Sequence, residues 1–223
     1  MSPSFAEIRA RAAARKGGEA ALDALMPTIR TPAELAAIPD DRWLSMISKC
    51  VFQAGFSWSV VDKKWPGFEA AFWGFDPGRC RAMGDEAFDA LLKDARIIRN
   101  GAKVRSVQLN AALLLDLAAE HGSAARAFAD WPADDYIGLL EMLKRRGDRL
   151  GGGAGAISLR FMGRDGWVLS PDVVKALAEA GVIDGPPTSK RAGQAIQAAF
   201  SGWAAESGAP FAHISRTLAL SVG

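Results

Sequence analysis

The sequence predicts an all-helical fold, and three observations support this prediction. Apolar residues recur at helical spacing in alanine- and leucine-rich segments along the whole chain, whereas the period-two alternation of β-strands is hard to find. Gly, Pro and cap residues separate these segments, as they do at helix ends. Hydrophobic residues make up 49% of the 223 residues, and 27 Lys and Arg stand against 25 Asp and Glu. Such a chain can bury a core as one or two compact domains and is not intrinsically disordered.

Cap residues predict where the first helices begin. Thr31 precedes a proline and is followed three residues later by Glu34, which predicts a short helix with a capping box. Asp40 or Asp41 is expected to cap the next helix, which ends near Gly55.

Two longer helices follow. Trp58 opens a helix that Pro66 is expected to break or restart, because a proline inside a helix removes a hydrogen bond. Asn100 caps a long helix whose apolar stripe is expected to face the centre of the domain. This stripe consists of Val104, Val107, Ala111, Leu114, Leu115 and Ala118.

The second half of the chain is predicted to contain a glycine hairpin between two helices. A helix over about 134–145 is followed by the glycine-dense stretch 147–155, and helical patterning resumes over 156–162. Ser170, followed by Pro171, is expected to cap a later helix, and the segment 186–189 (PPTS) is expected to start the next one in a similar way. The final helix contains Phe211, Ile214 and Leu218.

The composition also limits where the protein is expected to act. The longest apolar run, residues 111–115, is far shorter than the roughly 20 residues of a membrane span. The first residues carry Arg and Lys without an apolar signal core, so we expect no export. The two cysteines, Cys50 and Cys80, form no disulfide framework, and reduced thiols fit the cytoplasm. We therefore expect a cytoplasmic protein.

Short motifs occur in a fixed order along the chain. They are QAGFSW at 53–58, KK at 63–64, FDP at 75–77, Met83, IIRNGAK at 97–103 and LKRRG at 143–147. This series resembles the DNA-3-methyladenine glycosylase I family, which has QAGLSW, KK, FDP, a methionine, IIRHRGK and LKKRG at matching distances. The resemblance covers roughly residues 43–165. It implies that residues 1–223 form one helix-hairpin-helix DNA glycosylase unit of two helical lobes, with the target base drawn between them.

The sequence departs from the family pattern at functional positions, and the family's N-terminal YHDNEWG segment, which supplies pocket aromatics, has no counterpart before Trp43. The family builds a zinc site from an N-terminal Cys and His and a C-terminal HxxxC; neither motif occurs here, so we expect no metal and no cofactor. The family's pocket glutamate, five residues before the glycine of QAGLSW, falls on Cys50. The negative charge that recognises an alkylated purine is therefore missing, which leaves the choice of substrate open.

The resemblance also implies a base pocket. A glycosylase flips its target nucleotide and stabilises positive charge on the sugar as the base leaves. Trp58 matches the tryptophan on which the family stacks the base, and its indole face attracts a cationic purine; packing inside a lobe is the alternative role. Gln53 and Ser57 could reach base edges, or could only bond backbone near the turn. Cys50 is expected to be a buried, inert thiol in this pocket, since no adjacent His activates it.

One carboxylate is a candidate catalytic group. The wider superfamily has a catalytic aspartate in a pattern like V-D-T-H-V-x-R, and the similar segment 169–175 places Ser170 at the aspartate and Asp172 two residues later. Asp172 is therefore the candidate for stabilising the sugar cation. The alternative is a first-turn carboxylate that only favours the helix dipole.

The hairpin, at about 144–162, resembles the G-h-G-x-x-T/S core of DNA-binding hairpins. Its glycines let the backbone approach phosphate, and the amides of the following helix start attract negative charge. A local basic cluster accompanies them, although a solvated basic helix end is the alternative. The candidate DNA-binding residues are Arg145, Arg146, Arg149, Gly153, Gly155, Ser158 and Lys103.

Although the sequence departs from the family pattern, the resemblance implies a monofunctional glycosylase. Such an enzyme hydrolyses the N-glycosidic bond of an alkylated purine of the 3-methyladenine type. Double-stranded DNA containing damaged bases is the expected partner, with water as the nucleophile, no strand incision, no membrane and no obligate protein partner. One alternative is a non-catalytic helix-hairpin-helix DNA-binding protein that has lost the pocket glutamate. Another is a helical interaction protein without a role on DNA.

Overall fold

The computed structural model describes residues 3–223, and over this range the chain is helical without a β-strand, which confirms the predicted all-α class. Within that range, none of the helices combines the length and the apolarity that crossing a membrane requires. In chain order, the α-helices are α1 (Phe5–Lys16), α2 (Glu19–Asp23), α3 (Pro32–Ala36), α4 (Asp40–Gln53), α5 (Trp58–Ala71), α6 (Pro77–Arg81), α7 (Asp85–Lys93), α8 (Gly101–His121), α9 (Ala124–Ala129), α10 (Tyr136–Arg146), α11 (Gly153–Phe161), α12 (Pro171–Glu179), α13 (Lys190–Ser207) and α14 (Phe211–Ser221), and Trp73–Phe75 and Ala133–Asp135 form 3₁₀-helices.

The chain divides into two compact units. The first contains the described residues up to Ile29, together with Pro132–Leu139 and Gly163–Gly223. The second contains Arg30–Trp131 and Leu140–Met162.

The second unit is built around α8 and α4. α8 packs against α4, α6, α7 and α9, and α4 also contacts α5 and α11. Of the predicted apolar stripe on α8, Val104, Val107, Ala111 and Leu114 are fully buried, while Leu115 and Ala118 are half-buried at its edge. The stripe therefore faces the core of this unit, as its spacing predicts.

Several predicted caps are confirmed. In each case the side chain accepts a hydrogen bond from the backbone N–H three residues later, which satisfies one of the free donors at the helix start. These caps are Thr31 of α3, Asn100 of α8 and Ser170 of α12. Ser189 caps α13 in the same way, at the end of the segment 186–189 from which a helix start is predicted.

The predicted cap of α4 is wrong. Pro39 occupies the cap position, and Asp40 is the first helical residue. The Asp40 carboxylate instead accepts hydrogen bonds from the backbone N–H groups of Ala124 and Ala125, each at 3.0 Å. It therefore satisfies two donors at the start of α9, where a negative charge is also favoured by the helix dipole.

The predicted break at Pro66 is also wrong, because α5 continues through it. Packing around the preceding residue holds the helix together. The Trp65 ring stacks on Phe68 and Phe75 at centroid distances of 4.9 and 5.3 Å. Its indole N–H also donates to Glu69 at 3.1 Å. These contacts offset the cost of a proline inside a helix, about 3 kcal/mol.

The first unit has its own aromatic core and joins the two ends of the chain. Trp167 contacts the rings of Tyr136, Phe200 and Phe211. The Glu206 carboxylate on α13 accepts hydrogen bonds from two backbone N–H groups at the start of α1. These contacts place α1 beside α13 and α14.

Candidate functional site

The QAGFSW segment connects α4 to α5 in the second unit. Gln53 ends α4 in the core, and each of residues 54–60 is exposed. Gly55 takes the left-handed conformation, with φ of +69°, which a residue with a side chain rarely adopts. The chain therefore turns out of the core and immediately presents Trp58 at the start of α5.

Trp58 is exposed and does not pack inside the unit. Its side chain is 46% exposed and meets Phe161 of α11 edge to face, with ring centroids 6.0 Å apart. Phe161 is itself an exposed hydrophobic residue, and so is Phe56. Trp58, an exposed aromatic ring held by the ring of Phe161, is suited to stacking on a flat ligand.

Cys50 is buried on the core side of this segment. Its thiol is 3% exposed, and burial raises its pKa to about 12, although Lys49 acts in the opposite direction. The thiol is therefore neutral near neutral pH and supplies neither a nucleophile nor a negative charge. Cys80, also buried, donates its S–H to the carbonyl oxygen of Phe72.

Gln53 takes part in a small polar network that sequence reasoning missed. Its amide nitrogen donates to the Asp62 carboxylate at 3.2 Å, and Lys49 forms an ion pair with the same oxygen at 2.8 Å. Asp62 lies four residues after Trp58, so both belong to one face of α5. This spacing of four residues is the feature of the sequence that could have placed Asp62 beside Trp58. The hydroxyl of Ser57, by contrast, forms a hydrogen bond with the hydroxyl of Ser59 at 3.0 Å.

Lys103 contacts the end of α4 rather than open solvent. Its ammonium group donates to the carbonyl oxygens of Phe52 at 3.0 Å and Ala54 at 2.6 Å. Burial, with a smaller contribution from Arg149, lowers its pKa. A cation at this position satisfies carbonyls that the helix leaves free and favours the negative end of its dipole. No local sequence signal indicates this long-range contact.

The hairpin is tight because its chain segments approach closely. A side chain added at Gly155 would place its Cβ 2.7 Å from the carbonyl oxygen of Leu150. α11 begins at the exposed Gly153, three residues earlier than predicted. Ser158 is buried, and its hydroxyl donates to the carbonyl oxygen of Gly155 at 2.8 Å, so it is not exposed for a phosphate contact.

The predicted basic cluster contains side chains in different environments. Arg145 and Arg149 are exposed, and Arg149 has a left-handed backbone with φ of +61°. Arg146 is half-buried and forms two hydrogen bonds with Glu120, at 2.6 and 2.8 Å, which raise its pKa. An open groove of about 340 Å³ beside Arg146 is also lined by the acidic Asp116 and Asp148. Arg145 is therefore better placed than Arg146 to meet a phosphate.

Asp172 lies in the first unit, whereas Trp58 and the hairpin belong to the second. It is exposed and occupies the first turn of α12, directly after Pro171. Its carboxylate is therefore available to solvent and complements the helix dipole. Among residues 3–223, no group of three or more His, Cys, Asp or Glu side chains is arranged to hold a metal ion.

Comparison with known proteins found similarity over part of the chain. Residues 37–136 match the family model described as methyladenine glycosylase. A stretch of 65 residues, 29% of this chain, is 40% identical to DNA-3-methyladenine glycosylase 1 of Escherichia coli (strain K12), and this match spans only 35% of that relative's length.

Two solved structures of 3-methyladenine DNA glycosylase I are also similar. A solution structure is 23% identical, with a TM-score of 0.50, and the match covers 65% of this chain and 84% of the other. A crystal structure is 26% identical, with a TM-score of 0.49, and the match covers 65% and 87% of the two chains. The solution structure shows that the fold is shared.

Proposed function

We propose that this chain releases alkylated purines of the 3-methyladenine type from double-stranded DNA in the cytoplasm. The proposal is supported by the match of residues 37–136 to the family model described as methyladenine glycosylase. The reaction is hydrolysis: the bond between the sugar C1′ and the base nitrogen breaks, and water supplies the hydroxyl that remains on C1′. A purine methylated at N3 carries positive charge and departs as a neutral base. It is therefore an activated leaving group that does not require a strong general acid.

The exposure of Trp58 is the observation that most directly supports this function. A buried tryptophan in the QAGFSW segment could not stack on a base, whereas this one is 46% exposed. An indole face attracts a cationic ring, and stacking on a flipped base contributes about 1–3 kcal/mol. Trp58 is thus the residue that would hold the base outside the DNA stack.

Asp172 is the proposed electrostatic group. As a base leaves, positive charge grows on the sugar, and a carboxylate near that charge lowers the barrier. Its exposure leaves the carboxylate free to act in this way.

DNA backbone binding would use the hairpin and its exposed cations. The amides at the start of α11, around Gly153, are open to solvent and suited to a phosphate oxygen, and Arg145 and Arg149 add charge that does not depend on sequence. The contacts of Lys103 with α4 favour a structural role for this residue instead.

A second function is favoured by the neutral thiol at position 50. With a pKa of about 12, Cys50 cannot replace the charge of the family's glutamate. The rival is therefore a helix-hairpin-helix protein that binds DNA without releasing a base.

Base release from methylated duplex DNA distinguishes the two functions. We expect the native protein to release 3-methyladenine, resolved by chromatography, and Trp58→Ala to be slower by about 10- to 100-fold because stacking is lost. Phe56→Ala is the matched control, since this neighbouring aromatic is equally exposed, and it should retain most of the activity. Salt-sensitive DNA binding without any base release would support the rival.

A further inference from the structure

We propose that Asn110 is a positioning residue for DNA binding: its side-chain amide holds the backbone of Asp148, and this contact directs the neighbouring Arg149 to a phosphate of the duplex. The inference rests on the proposed function, because it deepens the DNA contact assigned there to the hairpin. It gives a task to a buried polar side chain of α8 that lies outside the sequence motifs.

Asn110 and Asp148 form a two-point contact between α8 and the hairpin turn. The Asn110 amide nitrogen donates to the carbonyl oxygen of Asp148 at 3.0 Å, and its amide oxygen accepts from the backbone N–H of the same residue at 2.9 Å. Asn110 is fully buried, so these bonds form away from competing water. The peptide units before and after Asp148 are therefore both fixed to α8.

Arg149, the next residue, has a backbone conformation that a residue with a side chain rarely adopts. Its φ is +61°, in the left-handed region that glycine occupies at much lower cost. The chain is held on both sides of it, because Asn110 fixes the preceding peptide unit and the following Leu150 is buried. A costly conformation that the surroundings enforce, in a turn otherwise rich in glycine, indicates a use for the Arg149 side chain.

The Arg149 side chain is available to a phosphate. It is 47% exposed, and its Nε lies 3.8 Å from the Asp148 carboxylate, where an exposed ion pair contributes little. Burial and, to a smaller extent, the charge of Arg149 lower the pKa of Lys103, so the two cations lie near each other. A guanidinium group with a weak partner and a second cation nearby is suited to bind a phosphate oxygen.

α8 also connects this turn to the segment that presents Trp58. Lys103 and Asn110 are seven residues apart, which places them on the same side of α8 and about 10 Å apart along its axis. Lys103 bonds the carbonyl oxygens of Phe52 and Ala54, next to that segment, while Asn110 bonds the hairpin turn. One helix thus sets the distance between the residue proposed to stack on the base and the residue proposed to bind the DNA backbone.

A double-mutant cycle in duplex binding tests whether Asn110 acts through Arg149. Fluorescence anisotropy with a labelled duplex between about 50 and 200 mM salt gives the slope of log affinity against log salt concentration. Arg149→Ala should lower this slope by about 1 and weaken binding about tenfold at the lowest salt, the value of one lost phosphate contact. Asn110→Ser, whose hydroxyl is too short to bond both groups of Asp148, should also lower the slope. The double variant should bind no more weakly than Arg149→Ala.

Two further variants separate this role from a general effect on stability, with folded protein measured by urea denaturation. Ser106→Ala is the matched control, because Ser106 is equally buried on α8 and donates to the carbonyl oxygen of Lys103; it should leave the salt slope unchanged. Arg149→Gly should lower the slope as Arg149→Ala does, but should raise the urea midpoint, because glycine adopts the left-handed conformation freely. A merely structural side chain would not give these opposite changes.

Each outcome supports or overturns the inference. It is overturned if Asn110→Ser leaves the slope unchanged, or if its effect adds in full to that of Arg149→Ala. If Asn110→Ser does not fold, Arg149→Gly decides, and a lower urea midpoint or an unchanged slope overturns the inference. Duplex binding by the native protein that does not depend on salt overturns it as well. The expected coupling without any release of base would support the inference and reject the proposed catalysis alone.

Discussion

At the scale of single residues, burial decides what each polar group near Trp58 can do. The exposed indole is open to a stacking partner, whereas the Cys50 thiol is enclosed and held neutral by burial. Gln53 is equally enclosed, but its amide is oriented by a carboxylate. The segment therefore offers an exposed flat face beside a core without a charge at position 50, since a buried charge would be costly in a low-dielectric interior.

Residue types and motif order could predict the position of Trp58 but not the partners of the polar residues around it. The resemblance singles out Trp58 as the candidate stacking residue, and the structure shows that its side chain is exposed. Lys103 and Ser158 belong to equally recognisable motifs, yet their polar groups bond to carbonyl oxygens of the protein itself. Such partners depend on how distant segments approach, and a linear pattern does not contain that information.

The two buried thiols predict how stability changes at high pH. Burial raises the pKa of Cys50 and of Cys80 from an ordinary 9.0 to about 12. Between these values the unfolded chain ionises while the folded protein does not, so the stabilisation present below pH 9 is lost as the pH rises. Between pH 8 and pH 10 the free energy of unfolding should fall by about 1.4 kcal/mol for each cysteine.

Urea denaturation at the two pH values measures this loss. Cys50→Ala and Cys80→Ala should each remove about half of the thiol contribution, and the double variant should remove all of it. An identical pH dependence in the native protein and the double variant would show that the thiols make no such contribution.

At the scale of helices, local signals predict where elements begin better than what they contact. The caps at Thr31, Asn100 and Ser170 depend on residues three positions away, and all three are confirmed. The predicted cap at Asp40 and the predicted helix break at Pro66 are wrong for a common reason. Asp40 finds its donors in α9, far along the chain, and the aromatic packing of Trp65 keeps α5 helical through the proline. Tertiary contacts here outweigh local preference.

The glycines of the hairpin should differ in their tolerance of a side chain. Gly155→Ala should destabilise the protein by about 1–3 kcal/mol, because its Cβ would lie 2.7 Å from the Leu150 carbonyl oxygen and the backbone must shift. Gly153→Ala is the matched control: its Cβ would come no closer than 3.4 Å to Ile157, and its effect should be within about 0.5 kcal/mol. Urea midpoints compare the variants, and equal midpoints would contradict the close approach of the two segments.

At the scale of the whole molecule, the proposed DNA binding must come from local charge, because the net charge is only +2. The exposed Arg145 and Arg149 belong to the second unit, as do the hairpin and Trp58, while Asp172 belongs to the first. The all-α class could be predicted from the sequence, and so could the similarity of residues 37–136 to the methyladenine glycosylase family model. The structure was needed to show which of these cations already have acidic partners, as Arg146 has in Glu120 and Arg149 has in Asp148.

The salt dependence of duplex binding tests whether Arg145, rather than Arg146, contacts a phosphate. Arg145→Ala should reduce the slope of log affinity against log salt concentration by about 1, the value of one lost phosphate contact. Arg146→Ala should change the slope less, because its charge is matched by Glu120. Fluorescence anisotropy with a labelled duplex between about 50 and 200 mM salt measures both slopes. A larger change of slope for Arg146→Ala than for Arg145→Ala would show that Arg146 is the residue that contacts a phosphate.

The release of free 3-methyladenine from methylated duplex DNA by the native protein, followed by chromatography with protein in excess over DNA, tests the central claim most directly. The account predicts that free base accumulates together with an equal amount of abasic sites, and that the strands remain intact. Tight, salt-sensitive binding to the same duplex with no free base would contradict it and would assign the protein a DNA-binding role without catalysis.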